Sequence, residues 1–123
     1  MKRILIVDDA ATVRMYHRNI LEPAGYAVDE AVNGIEALEK ALLSPYDLYL
    51  VDINMPKLDG YAFLRELRSN DILQAPAIMI STEAEESDQL KAYQSGANLY
   101  IIKPTRPEIL LRYAKLLLGE SLT

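Results

Sequence analysis

The 123-residue sequence contains no cysteine and no tryptophan, and it has only one histidine and one phenylalanine. Without cysteine, the chain can form no disulfide and has no thiolate chemistry. Basic residues are outnumbered 13 to 18 by acidic ones, and the net charge of -5 argues against a surface built to bind nucleic-acid phosphates. No apolar run approaches the length of a membrane span or of a signal-peptide core. These absences favour a soluble, cytoplasmic protein.

The length and composition fit one ordinary globular domain. A chain of 123 residues suits a single hydrophobic core, and half of the residues are apolar while a quarter are charged. No repeat, low-complexity segment or linker interrupts the pattern. We therefore expect one domain over residues 1–123, with no separate output domain.

Five short apolar runs alternate with stretches that place apolar residues at three- and four-residue steps. Such runs predict strands, and the stretches between them predict amphipathic helices. Regular alternation of the two is typical of a parallel α/β sheet, so we predict a (βα)5 architecture. The five predicted strands are Ile4 to Val7, Tyr26 to Ala31, Leu48 to Val51, Ala77 to Ile80 and Leu99 to Ile102.

Local signals predict where the helices begin and end. Gly25 and Gly96 are C-terminal signals for the first and fourth helices, and Asp59 is the predicted N-cap of the third. Pro107 suits the first turn of the fifth helix. The residues predicted for the buried side of that helix are Ile109, Leu110, Tyr113, Leu116 and Leu117, whereas Leu111 and Leu118 are expected to be exposed.

Polar side chains follow four of the predicted strands. The first and third runs are almost wholly apolar, as expected of central strands, whereas Asp29 and Glu30 indicate that the second is an edge strand. Ligands of open α/β sheets bind outside the carboxyl ends of the strands, so these end positions predict a site. The residues there are Asp8, Asp9, Asp52, Ser81, Thr82 and Lys103.

The chemistry of these groups points to a divalent cation and to phosphoryl transfer. Carboxylates that converge on one place repel each other unless a cation lies between them, and all-oxygen ligands suit Mg²⁺ or Mn²⁺ better than Zn²⁺. A carboxylate beside such a cation can attack phosphorus and form an aspartyl phosphate. Asp52 follows a central strand and is the predicted nucleophile, while Asp8 and Asp9 are better suited to hold the metal.

Each residue alone also has a simpler interpretation. Asp8 or Asp9 could cap the first helix, and Lys103 could be a solvated lysine. Asp52 could belong to a turn. His17, the only histidine, is interpreted as a packing or surface residue. The site is predicted because separate strands deliver complementary groups to one edge of the sheet.

Short motifs at the strand ends carry a resemblance to a known family. They are Ile4-Leu-Ile-Val-Asp8-Asp9, Val51-Asp52-Ile-Asn-Met-Pro56, Asp59-Gly60, Ile80-Ser81, Ser95-Gly96-Ala97 and Ile102-Lys103-Pro104. Over essentially the whole chain, the sequence resembles the receiver domain of two-component response regulators, and single-domain chemotaxis regulators in particular. The resemblance implies a flavodoxin-like doubly wound sheet with strand order 2-1-3-4-5.

The resemblance also implies roles for the site residues. Asp52 would be phosphorylated from a phosphohistidine, and Mg²⁺ would be held by Asp8, Asp9, Asp52 and the backbone carbonyl of Asn54. Lys103 would pair with the phosphoryl group, and its peptide bond to the following proline would be cis.

A second group of residues is expected to report and time the phosphorylated state. By resemblance, Ser81 and Tyr100 are the switch residues, and Asn54 and Glu83 tune the lifetime of the phosphoryl group. Thr82 places a second hydroxyl beside Ser81, where the family commonly has a small residue, and we prefer Ser81 for the switch.

The resulting expectation is a stand-alone response regulator that switches its affinity for a protein partner. It would take the phosphoryl group from a sensor histidine kinase or a histidine phosphotransfer protein, and would act on a motor protein, a phosphatase or another enzyme. We expect no nucleic-acid or membrane partner, a monomer or weak dimer, and only slow autocatalytic transfer and autodephosphorylation.

Two other functions compete with this expectation. A phosphatase of the haloacid-dehalogenase type also forms an aspartyl phosphate, but such enzymes need a second acid two residues after the nucleophile, where Asn54 stands. A constitutive binding module that has lost phosphorylation would not need the intact acidic set and Lys103. Phosphomonoester turnover would favour the first alternative, and partner binding unaffected by phosphorylation would favour the second.

Overall fold

Five strands and five helices alternate strictly along the chain in the computed structural model, which describes residues 1–122. The longest helices have 11 residues, and no helix in this described part is long and apolar enough to cross a bilayer. The elements are β1 (Arg3–Val7), α1 (Ala11–Leu21), β2 (Ala27–Ala31), α2 (Gly34–Leu43), β3 (Leu48–Asp52), α3 (Gly60–Ser69), β4 (Ala77–Ser81), α4 (Glu86–Ser95), β5 (Leu99–Ile102) and α5 (Pro107–Leu117).

The strands form one parallel sheet in the order β2-β1-β3-β4-β5, which confirms the predicted fold. β1 and β3 lie inside the sheet, as their apolar sequences indicate, and β2 lies at an edge. The edge position explains how β2 tolerates Asp29 and Glu30. Asp29 pairs with Arg3 at 2.9 Å, and Glu30 pairs with Arg14 at 2.7 Å, both at least partly in contact with solvent.

Two hydrophobic layers cover the two faces of the sheet because successive side chains of a strand point to opposite faces. Along β1, Leu5 lies in the layer that also holds residues of α2, α3 and α4, whereas Ile4 and Ile6 lie in the layer that holds residues of α1 and α5. The same alternation separates Tyr49 from Leu50 in β3. The sheet is therefore buried on both sides, and its carboxyl edge carries the polar residues that follow the apolar runs.

The predicted ends of the elements agree with the structure to within about a residue at most positions. The Asp59 side chain accepts a hydrogen bond from the Ala62 amide, which confirms the predicted cap. Gly96 ends α4 with φ of 119°, a conformation that favours glycine, and Pro107 is the first residue of α5. α1 ends at Leu21, so Gly25 lies in the turn beyond the helix rather than at its cap.

The predicted buried side of α5 is wrong in part. Leu110 and Ala114 are fully buried and define its inner face. Relative to Ala114, Leu118 lies about 40° around the helix and Leu116 about 200°, at roughly 100° per residue. Leu118 and Leu111 therefore pack against the core, whereas Leu116 is exposed. Leu111 and Leu118 are thus partly buried rather than exposed as predicted.

Candidate functional site

Three carboxylates and one ammonium group meet at the carboxyl edge of the sheet. Asp8, Asp9 and Asp52 each offer an oxygen within 4.8 Å of the other two. Lys103 Nζ donates to Asp52 Oδ1 at 2.9 Å and lies 3.4 Å from Asp8 Oδ2. Asp8 and Asp52 are buried, whereas Asp9 is exposed. The structure thus brings the predicted acidic set and the predicted lysine together.

The position of Asp8 is held by backbone and side-chain hydrogen bonds. Its amide donates to the Ala31 carbonyl at 3.1 Å, which extends the pairing of β1 with β2 past the end of the strand. Its Oδ1 accepts from the Ala10 amide at 2.9 Å, and its carbonyl accepts from Arg14 Nη1 at 2.8 Å. The Ala10 amide, directly before α1, therefore orients the carboxylate. Ala10 itself is the N-cap of α1, so the interpretation of Asp8 or Asp9 as the cap is wrong.

The loop after β3 needs a glycine where it returns to the sheet. A Cβ at Gly60 would overlap the Asp52 carbonyl oxygen and come within 3.0 Å of Ile53 Cα. The Gly60 amide donates to the Ile53 carbonyl at 2.8 Å. The start of α3 is thereby fixed directly against the backbone of Asp52, the last residue of β3.

The electrostatics of the site are those of a crowded acidic pocket with one cation. Burial raises the pKa of Asp52, and the nearby charges of Asp8 and Asp9 raise it further, while the bond from Lys103 opposes this shift. Burial disfavours the charged form of Lys103, but its bonds to Asp52 and Asp8 outweigh burial and raise its pKa. A further positive charge at this place would relieve the repulsion between the carboxylates.

The donor set fits a hard divalent cation. Three carboxylate oxygens that converge without any nitrogen or sulfur ligand suit Mg²⁺ or Mn²⁺. Asn54 lies two residues beyond Asp52 in the same loop, with its side chain exposed. Its role as a carbonyl ligand and its role in phosphoryl lifetime stay predictions.

The two expected switch residues both bind the backbone of Glu83. Ser81, the buried last residue of β4, accepts at Oγ from the Glu83 amide at 3.0 Å. Tyr100 is also buried, and its hydroxyl donates to the Glu83 carbonyl at 2.8 Å. The segment between β4 and α4 is therefore connected to the end of β4 and to β5 through one residue.

The two neighbouring hydroxyls after β4 have different surroundings. Ser81 is 1 % exposed and faces the Glu83 amide, whereas Thr82 is exposed and lines a cleft of about 390 Å³ between α1 and the loop after β5. Lys103 lines the same cleft. The Lys103-Pro104 peptide bond at its border is cis, as expected.

Sequence reasoning missed a group of residues beneath Lys103. His17 is 3 % exposed, and its Nε2 shares a hydrogen bond of 3.2 Å with Thr105 Oγ1. Burial lowers the pKa of His17 to about 4, with Lys103 acting in the same direction and Asp8 opposing. The Tyr16 hydroxyl donates to the Thr105 carbonyl at 2.6 Å. A lone histidine on the apolar side of a predicted helix was the only signal of this contact in the sequence.

Comparison with known proteins identifies the family. Residues 4–115 match the family described as response regulator receiver domain. The transcriptional regulatory protein ResD of Bacillus subtilis is 41 % identical over 122 residues, which are 98 % of this chain and 50 % of that protein. The chain thus spans about half the length of this relative.

Solved structures agree with the fold and the sequence match. The chemotaxis protein CheY4 of Vibrio cholerae is 32 % identical, with a TM-score of 0.89 over 95 % of this chain and 98 % of that one. The receiver domain of the sensor histidine kinase PA1611 from Pseudomonas aeruginosa is 31 % identical, with a TM-score of 0.89 over 97 % and 98 % of the two chains. That structure has a magnesium ion coordinated in its active-site cleft.

Proposed function

The chain belongs to the response regulator receiver family, and we propose that its Asp52 accepts a phosphoryl group from a sensor histidine kinase or a histidine phosphotransfer protein. The observation that carries the proposal is the position of Asp52. It is buried at the carboxyl edge of the sheet, 2.9 Å from Lys103 Nζ and beside two further carboxylates. Within residues 1–122, these three aspartates form the one such acidic cluster.

In the proposed transfer, an Asp52 oxygen forms a P–O bond while the P–N bond to the donor histidine breaks and its electron pair goes to the imidazole nitrogen. Asp52 must be ionised to attack, and Lys103 favours the ionised form. Mg²⁺ or Mn²⁺, held by Asp8, Asp9 and Asp52 with the carbonyl of Asn54, would neutralise the phosphoryl oxygens. After transfer, Lys103 is placed to pair with the new phosphoryl group.

Phosphorylation would be reported through Ser81, Tyr100 and Glu83. A phosphoryl oxygen on Asp52 would accept a hydrogen bond from the Ser81 hydroxyl, and rotation of this side chain toward Asp52 would move Oγ away from the Glu83 amide that it now accepts from. Loss of that bond would leave the Glu83 backbone held by the Tyr100 hydroxyl, so the segment before α4 could move more easily. Partner affinity would change because this segment is exposed at the surface. Asn54 and Glu83 would tune the lifetime of the phosphoryl group.

The output of the domain is a change in binding rather than enzymatic turnover. We propose only slow autocatalytic transfer and autodephosphorylation, with a protein as the downstream partner. The proposed activity would serve equally in a free-standing regulator and in a longer chain, and the present chain spans half of ResD. The stand-alone form, the chemotaxis-like role and the cytoplasmic location stay predictions.

The test is phosphorylation by a small phosphodonor. Wild type and Asp52→Asn are incubated with acetyl phosphate, with and without Mg²⁺, and their intact masses are measured. A Mg²⁺-dependent gain of about 80 Da in wild type alone is the expected result for one phosphoryl group. Asp71→Asn, a change of an exposed acid outside the site, is the matched control and should behave as wild type. No gain in a folded wild type would exclude the proposed function.

A further inference from the structure

Two hydrogen bonds connect α1 to the loop that follows β5. One is shared by His17 Nε2 and Thr105 Oγ1, at 3.2 Å, and the other runs from the Tyr16 hydroxyl to the Thr105 carbonyl, at 2.6 Å. The three residues are called the Thr105 anchor below. Its partners are 88 and 89 residues apart in the chain, so the anchor depends on the fold and not on local sequence.

The Thr105 anchor lies on one side of Lys103, and a β-type hydrogen bond lies on the other. The Lys103 amide donates to the Ser81 carbonyl at 2.7 Å, which continues the pairing of β5 with β4. Thr105 follows Lys103 by two residues. The backbone that carries the lysine is therefore fixed at both ends, once to the sheet and once to α1.

The chemistry of the anchor favours a defined position over loose packing. His17 and Thr105 are 3 % and 4 % exposed, and a buried polar group without a partner costs about 1–3 kcal/mol. The hydrogen bond between them is directional, so the loop cannot slide along α1 without losing it. The Tyr16 ring stands edge-on to His17, with 5.5 Å between ring centres, which is a favourable aromatic geometry.

We infer that Tyr16 and His17 are positioning residues that hold Lys103 against Asp52 through Thr105. The ring of His17 also lies below the site, since it borders a small internal space together with Asp8 and Asp52. The inference rests on the proposed function, because the position of Lys103 matters for phosphoryl transfer. It adds residues from α1 whose hydrogen bonds are made to Thr105 and not to Asp52.

The first experiment removes one hydroxyl group. Thr105→Val keeps the shape of the side chain but cannot bond to His17, while Thr105→Ser keeps the hydroxyl. We expect the rate of Mg²⁺-dependent phosphorylation by acetyl phosphate to fall about tenfold in the valine variant, since small misplacements of catalytic groups cost up to 10²-fold. The serine variant should stay within about twofold of wild type. A Lys103 ammonium displaced from Asp52 repels a bound metal less, so Mg²⁺ affinity measured by calorimetry should stay the same or rise slightly in the valine variant, and should not fall.

The second experiment tests the other contact of the anchor. Tyr16→Phe removes the hydroxyl that binds the Thr105 carbonyl, and Tyr93→Phe is its matched control because the two tyrosines are 44 % and 45 % exposed. Slower phosphorylation is expected for Tyr16→Phe only. Equal phosphorylation rates in Tyr16→Phe and Tyr93→Phe would show that the Tyr16 hydroxyl does not help to position Lys103.

A third readout does not depend on phosphorylation. The Lys103 side chain is 21 % exposed, so an amine-reactive ester can label it, and the exposed Lys57 and Lys91 serve as references in the same digest. We expect faster labelling of Lys103 in Thr105→Val than in wild type or Thr105→Ser. If wild type takes no phosphoryl group, the proposed function fails and this labelling still decides the anchor. Unchanged labelling together with an unchanged phosphorylation rate in Thr105→Val would overturn the inference.

Discussion

Gly60 lies so close to Asp52 that a Cβ atom at position 60 would overlap the Asp52 carbonyl oxygen. Both partners of this contact are backbone, at the end of β3 and the start of α3, so neither can turn away as a flexible side chain would. The contact ties the position of the proposed phosphoacceptor to the residue that begins α3.

Gly60→Ala is therefore expected to lower the free energy of unfolding by about 1–3 kcal/mol, the usual cost of overpacking, and to slow phosphorylation of Asp52. Urea unfolding and the acetyl phosphate assay measure the two effects. Gly119→Ala is the comparison, because Gly119 has φ of 71° but open space around it. It should lose stability through backbone strain and keep the phosphorylation rate. If Gly60→Ala kept the wild-type stability and the wild-type phosphorylation rate, the loop between β3 and α3 would be able to shift and make room for the added Cβ.

Lys103→Met tests the cation that pairs with the Asp8 and Asp52 carboxylates. Loss of the ammonium should slow phosphoryl acceptance by about 10²-fold, since one preorganised charge at a reacting oxygen contributes on this scale. Mg²⁺ binding should strengthen, because the metal no longer competes with a positive charge beside Asp52. Calorimetric titration measures the affinity, with the exposed Lys57→Met as control. Weaker Mg²⁺ binding would contradict the electrostatic account.

His17 predicts a specific loss of stability in acid. Burial, assisted by Lys103 and opposed by Asp8, lowers the pKa of His17 from 6.5 to about 4 in the folded chain. Between these values the unfolded chain binds a proton that the folded chain does not, so stability falls as the pH drops from about 6.5 to about 4. The full effect is roughly 3 kcal/mol.

The measurement is urea unfolding of wild type and His17→Gln at pH 7 and pH 4.5. Wild type should lose more stability than the glutamine variant over this interval. Asp29 and Glu30, whose pKa values are lowered in the folded chain, contribute acid sensitivity to both proteins and cancel in the comparison. Parallel losses in the two proteins would show that His17 does not titrate as described.

Ser81→Ala tests which hydroxyl holds the segment before α4. Removing Oγ leaves the Glu83 amide without this partner, and a net hydrogen bond of about 1 kcal/mol corresponds to roughly fivefold faster hydrogen exchange at that amide. Thr82→Val is the matched control and should leave the Glu83 amide protected, because Thr82 faces the cleft beside Lys103. If hydrogen exchange at the Glu83 amide were faster in Thr82→Val and unchanged in Ser81→Ala, the Thr82 hydroxyl and not the Ser81 hydroxyl would hold this segment.

Much of the fold was accessible from sequence because its determinants are local. A strand covered on both faces must be apolar over its whole length, so the runs before Asp8 and Asp52 could be recognised without knowing their neighbours. The cap at Asp59 and the stop at Gly96 involve residues within one helical turn. The acidic cluster could be predicted because parallel strands bring their carboxyl ends to one edge.

The side of a helix that faces the core was less predictable. Leucine occupies both sides of α5, so hydrophobicity alone could not choose between Leu116 and Leu118. The choice depends on where Leu110 and Ala114 meet the sheet, and small residues such as Ala114 contribute little to a hydrophobic pattern.

The sequence by itself determined the strand runs, most helix ends and the set of groups at the carboxyl edge, because each depends on residues close together in the chain. Only the tertiary structure decided that His17 is buried against Thr105, that Ser81 and Tyr100 meet at Glu83, and that Lys103 reaches both Asp8 and Asp52. Apart from the bond between Ser81 and Glu83, these contacts join residues that lie 17 to 95 positions apart in the chain. A hydrogen bond of about 3 Å requires positions that periodicity and composition do not specify.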